Sequence, residues 1–150
     1  MTLSERLEED FKQALKARQT VKVSALRMLK AALSNAAIRK GKQELDDAEF
    51  FEVVASLIRQ REESVEAFAK GGRSDLVEKE KQEMEILKAY LPKPMGEDEV
   101  QAIIRSVIEE LGVHGPAGMG PVMKAVMPKV AGRVDGKKVS QWVRQALGLP

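Results

Sequence analysis

Six bases crowd the end of this chain, Lys124, Lys129, Arg133, Lys137, Lys138 and Arg144, against a single acid, Asp135, between residues 112 and 150. Such an excess suits a polyanion, because a nucleic-acid backbone is gripped chiefly by Lys, Arg and helix N-termini. Five of the six fall in one glycine-rich stretch, GMGPVMKAVMPKVAGRVDGKKVS (Gly118–Ser140), with four glycines and two prolines. A Walker-type phosphate loop needs two glycines five positions apart, then Lys and a hydroxyl residue, between a strand and a helix. Here Gly132 is one residue too close to Gly136, Lys138 stands where the hydroxyl belongs, and no strand precedes. A second chemistry uses the last helix directly. With Asp135 as N-cap, Gly136, Lys137 and Lys138 form its first turn, whose amides favour anions. Two lysines oppose the helix dipole there, and a bound phosphate would offset that cost. The third reading makes Gly132 and Gly136 a tight turn and leaves the lysines solvated.

Other reactive residue types are scarce. The chain has no cysteine, so thiolate chemistry, sulfur-ligated metals and disulfides are excluded. His114 is the only histidine and sits between Val113 and Gly115 with no partner in sequence. There is no His-Glu-x-x-His, no Gly-x-Ser-x-Gly and no glycine-rich strand-to-helix loop. The residues thus supply no catalytic constellation, no metal site and no cofactor site, and they identify no small-molecule substrate. Trp142 could stack on an unpaired base. Its place beside Val139 and Val143 also suits a core or rim position. Met119, Met123 and Met127 recur every four residues, which suits hydrophobic packing, against a partner or within the fold.

These residues need helices to position them. Apolar residues make up 43% of the chain and aromatics 4%, with no apolar run long enough to span a membrane. The expectation is an all-α, cytoplasmic protein. Leu3, Leu7, Phe11, Ala14 and Leu15 mark a first amphipathic helix. A second follows Thr20 as N-cap and stops at Gly41. A third starts at the capping box of Asp46 and Glu49 and runs to Lys70; a fourth begins near Asp75 and ends at the LPKP sequence. Pro92 and Pro94 bar helix continuation, so residues 92–96 read as a linker between an N-terminal domain of about four helices (1–91) and a three-helix tail (97–150). The tail reads as one strong amphipathic helix closed by Gly112, one from about Met119 to Met127 interrupted by Pro128, and one over Gly136–Leu147.

Two helices carry charge on an apolar stripe. Arg61 shares its face with Val54, Leu57 and Val65, while Glu80 and Glu83 share theirs with Leu76, Met84 and Leu87. An antiparallel hairpin about Gly72 sets Arg61 opposite Glu83, with Glu80 one turn away, which predicts a partly buried ion pair. Charge also alternates along the chain. Residues 11–43 hold nine bases and no acid, and residues 44–91 are net −6. Lys12, Lys16, Arg27, Lys30, Arg39 and Lys40 therefore form a second basic surface, for RNA or for docking on the acidic helices.

The motif MGPVMKAVMPKVAGRVDGKKVSQWVRQAL (Met119–Leu147) resembles the tail of GatB, the B subunit of glutamine-dependent aminoacyl-tRNA amidotransferases. It shares the Gly-x-Val-Met opening, Pro-Lys-Val, the Gly-Arg-x-Asp-Gly turn and the Val-Ser start of the final helix. LRMLKAALSNAAI (Leu26–Ile38), RQREES (Arg59–Ser64), GGRSDLVEKE (Gly71–Glu80) and YLPKPM (Tyr90–Met95) are similar to the stand-alone YqeY proteins of the GatB/YqeY family. The resemblance covers nearly the whole chain and departs from the family pattern at Gly118, often an acid, and Pro121, often a Lys. It implies an N-terminal helical domain, a three-helix tail, and tRNA as partner of the tail. Carbon-nitrogen ligase activity with glutamine as amide donor follows from the family name, yet the chain has no room for the amidotransferase's synthetic domain. The expected function is a non-catalytic tRNA-binding or amidotransferase-associated accessory protein with a possible protein partner in aminoacyl-tRNA metabolism. The alternative is a protein interaction adaptor using the Met and Leu faces of the tail.

Overall fold

The computed structural model describes Met1–Pro150 as helices and connecting loops, in two compact units, Met1–Leu91 and Pro92–Pro150. The first unit holds α1 (Leu3–Lys16), α2 (Thr20–Lys40), α3 (Asp47–Lys70) and α4 (Ser74–Lys88). Capping boxes start α1, through Thr2 and Glu5, and α3, through Asp46 and Glu49. α2 packs against all three other helices. It is accordingly apolar on several sides, with Leu26 and Leu29 fully buried and Ala25, Ala36 and Ala37 letting neighbours approach. α3 and α4 form a hairpin around Gly72, whose φ of 71° is left-handed.

One helix start differs from the sequence expectation. Thr20 is already helical and Gln19 precedes it without a side-chain cap, because the chain reverses over Ala17–Gln19, with the Gln19 amide donating to Ala14 O at 3.0 Å. α4 begins at Ser74, one residue before Asp75. The Asp75 carboxylate is held by Arg73, accepting from Nε at 3.2 Å and Nη2 at 3.1 Å. α1 is fastened to the chain after α4 by Tyr90, whose hydroxyl donates to Asp10, and by Arg6, which donates to Ala89 O at 2.8 Å and lies 4.6 Å from the Tyr90 ring centre. Burial first, and then Asp10, push the Tyr90 hydroxyl pKa well up.

Within the first unit, Arg61 and Glu83 are each 4% exposed and approach at 3.3 Å between Nε and Oε2. Arg61 Nη1 donates to Leu57 O at 3.3 Å and Nη2 to Met28 Sδ at 3.1 Å. Nε itself makes no hydrogen bond, so its contact with Glu83 is Coulombic rather than aligned. Glu80 lies outside this pair, half-buried one turn earlier on α4.

Glu49 clamps the α2–α3 connection, meeting Lys40 at 2.9 Å and Lys42 at 2.8 Å. Hydrogen bonds from Lys40, then Lys42, then the Asp46 amide hold its carboxyl down at about 2, from an ordinary 4.5. A depressed folded pKa contributes stability that is fully present above the unfolded value and lost as pH falls through the folded one. The melting-temperature gap between wild type and Glu49→Gln should therefore be full at pH 6 and shrink below pH 4.5. A gap that stays constant down to pH 2.5 contradicts this role.

The second unit holds α5 (Glu97–Leu111), a short 3-10 turn (Pro116–Gly118), α6 (Met119–Val130) and α7 (Gly136–Ala146). Its core is chiefly valine and isoleucine, with Val100 and Ile104 from α5, Val122 and Val126 from α6, and Val139 and Val143 from α7. α6 runs through Pro128 to Val130 rather than stopping at Met127. Pro128 stands in the last turn, where only one interior hydrogen bond is forfeited before the helix ends. The 92–96 segment is tied into this unit: Arg133 Nε donates to Lys93 O at 2.7 Å and Arg133 O accepts from the Met95 amide at 2.9 Å.

Gly118 is buried, and a Cβ there would lie 3.1 Å from Val113 Cγ2 and 3.2 Å from Leu147 Cδ2. A side chain at this position would therefore crowd the unit's core. Gly118→Ala should destabilise the second unit by about 1 kcal/mol and Gly118→Val by about 3 kcal/mol, by overpacking. Thermal melts followed at Trp142 check the order, and equal melting points would contradict it.

Candidate nucleic-acid interface

The link from α6 to α7 is built on one left-handed residue. Gly132 has φ 73° and needs to be glycine; Gly136 does not share that conformation and simply opens α7. The Arg133 amide closes the turn on Val130 O at 2.9 Å. Asp135 then caps α7, its Oδ1 accepting from the Lys137 amide at 3.0 Å and its carbonyl from the Val139 amide at 3.1 Å. The amides of Gly136 and Lys138 have no protein acceptor. A Cβ on Gly136 would lie 3.6 Å from Met127 Cε, so the last turn of α6, which carries Lys129, adjoins the first turn of α7.

The six bases divide into two sets. Lys124, Lys129, Lys137 and Lys138 are exposed and make no ion pair. Arg133 is tethered to Lys93, and Arg144 donates to Pro150 O from Nε at 3.2 Å and Nη2 at 2.8 Å. A guanidinium held by backbone carbonyls keeps its charge but not its freedom to follow a ligand. Of these six bases, the four lysines are thus the mobile cations.

His114 is exposed in the α5–α6 loop, and no three His, Cys, Asp or Glu side chains converge to hold a metal ion. Met119, Met123 and Met127 are half-buried against the core of their own unit, as is Trp142. In the first unit the basic stretch is partly neutralised: Lys30 meets Glu8 at 2.9 Å and Lys40 meets Glu49. Lys30 and Arg27 also lie over the Phe11 ring, at 4.4 and 5.8 Å from its centre. Lys12, Lys16 and Arg39 are exposed. Sequence reasoning missed a groove of about 420 Å³ between α5 and α7, lined by Gln101, Arg105, Glu109, Trp142 and Gln145. Its available signal was the four-residue spacing of Gln101, Arg105 and Glu109 on α5.

Comparison with known proteins covers both units. A family model described as Yqey-like protein matches residues 4–147. Three similar proteins are each named "Altered inheritance of mitochondria protein 41, mitochondrial". That of Pyrenophora tritici-repentis is 30% identical over 146 residues, 95% of this chain and 80% of the relative. That of Lachancea thermotolerans is 34% identical over 113 residues, 74% of this chain and 60% of the relative. That of Eremothecium gossypii is 33% identical over 139 residues, 90% and 71%. No helix of the chain is long and apolar enough to cross a membrane.

Proposed function

The chain belongs to the Yqey-like protein family, and from that membership and the free lysines of its second unit we propose that it is a non-catalytic accessory protein that binds tRNA. One observation carries the reading. Lys137 and Lys138 stand exposed and unpaired in the first turn of α7, beside two amides that lack acceptors. A backbone phosphate placed there accepts from the amides and neutralises lysines that the helix dipole otherwise disfavours. Lys129, on the adjoining turn of α6, extends the grip to a neighbouring phosphate, and Lys124 lies further back on the same helix.

In this reading the glutamine-dependent amide transfer associated with the family name belongs to partner proteins, and this chain contributes RNA binding. The adaptor alternative loses support because the methionines it would use pack against their own core. The relatives are mitochondrial by name, so mitochondria stand beside the cytoplasm as the compartment of the proposed tRNA binding. The test is fluorescence anisotropy of labelled tRNA titrated with the full chain at rising KCl. At roughly −0.9 per contact, four lysines on phosphates give a log-log salt slope of about −3.6. Absence of salt-dependent binding at 50 mM KCl (about the low end of the useful range) would overturn the proposal.

A further inference from the structure

Trp142 is the only tryptophan, and its setting is not that of a core residue alone. It packs on the second unit's core and also lines the α5–α7 groove. Its indole N–H has no protein acceptor and is not sealed from solvent. A buried tryptophan usually satisfies that donor within the fold. The rest of the lining is mixed: Gln101, Arg105, Glu109 and Gln145 bring polar groups beside the apolar Ile104, Ile108 and Ala146. Arg105 and Glu109 are one turn apart on α5, at the spacing that favours an ion pair, yet they do not approach within 4 Å. Both charges stay available to an occupant. Gln101 gives its amide N–H to Glu97 at 3.0 Å, which leaves its carbonyl as an acceptor.

We propose that this groove is a pocket for a single unpaired RNA base, stacked on Trp142 and read at its edges by Gln101, Gln145 and Glu109. The inference rests on the tRNA-binding reading above and adds a site that the lysines do not form. A planar heteroaromatic ring uses the indole face, the guanidinium plane and the carboxamides together. An aliphatic side chain of a protein partner would cover the indole but leave the amides and both charges desolvated without partners, a net cost. Helix spacing also connects the pocket to the phosphate grip. Lys138, Trp142 and Gln145 follow one another at four and three residues along α7 and share a face, so a base on Trp142 has its backbone within the reach of Lys138.

Because the tryptophan is unique, its fluorescence reads the pocket directly. The full chain is titrated with an unstructured RNA of about 12 nucleotides, within the usual size range of single-strand sites, and with the blunt duplex that strand forms with its complement. The single strand should quench Trp142; the duplex, whose bases are paired, should bind with salt dependence and leave the fluorescence unchanged. Trp142→Leu, which keeps an apolar group on the core, should weaken single-strand binding, measured by anisotropy, about 5- to 160-fold while leaving the salt slope as in wild type. Trp142→Phe should retain most of the affinity. Ala146→Leu narrows the groove from an exposed position at the end of α7 and should reduce quenching without touching the core. Salt-dependent binding with no quenching, and with wild-type affinity in Trp142→Leu and Ala146→Leu, overturns the pocket while the lysine grip stands. No salt-dependent binding of either RNA overturns the lysine grip and the pocket with it.

Discussion

Replacing Glu83 with leucine is expected to destabilise the first unit by about 3–5 kcal/mol, the largest effect of any single substitution considered for this fold. Leucine brings no charge to replace the one removed, so the loss is chiefly electrostatic. Arg61 would remain 4% exposed, with a carbonyl and a thioether as its hydrogen-bond acceptors and no counter-charge. Against a typical total of about 5–15 kcal/mol, that is enough to unfold a substantial population. The double substitution Arg61→Met with Glu83→Leu removes both charges and should fall within about 1 kcal/mol of wild type, because a buried pair returns little beyond its own desolvation. Urea melts followed by far-UV circular dichroism measure the difference, with Trp142 reporting the other unit separately. If the single and double variants unfold together, the pair is not what holds the charges in place.

The pair also indicates how far sequence reasoning reaches. Spacing alone put Arg61 on one apolar stripe, Glu80 and Glu83 on the other, and a turn at Gly72, since helix periodicity and a left-handed glycine are local properties. The detail that Arg61 Nε faces Glu83 without a hydrogen bond, while Nη2 reaches Met28 on a third helix, depends on how α2 packs across the hairpin. Helix identities were legible for the same local reason; the ends were less so. Thr20 is a good capping residue by type, but a chain reversal decides where the helix starts. Pro128 was read as a break because the cost of proline is judged for a helix interior, and it stands in a final turn.

In the candidate interface, the excess of base was visible and its division was not. Arg133 finds Lys93 forty positions away and Arg144 finds Pro150, contacts set by where the chain doubles back. The groove at Trp142 is likewise made by two helices far apart in sequence, so no local pattern joined its two walls. Trp142 itself carried both signals, a core position and a stacking surface, and the fold gives it a share of each.

The most direct test of the account is the salt dependence of tRNA binding by Lys137→Gln with Lys138→Gln. If both lysines meet phosphate, the variant should show a log-log slope less steep by about 1.8 and an affinity lower by about sixtyfold at 0.1 M salt, with equal affinity on extrapolation to 1 M. Neither residue is buried or paired and both oppose the helix dipole, so the helical signal should match wild type and the melting temperature should be no lower, which serves as the control. A folded variant that binds tRNA with wild-type affinity and slope would contradict the account, and the first turn of α7 would then be only the start of a helix.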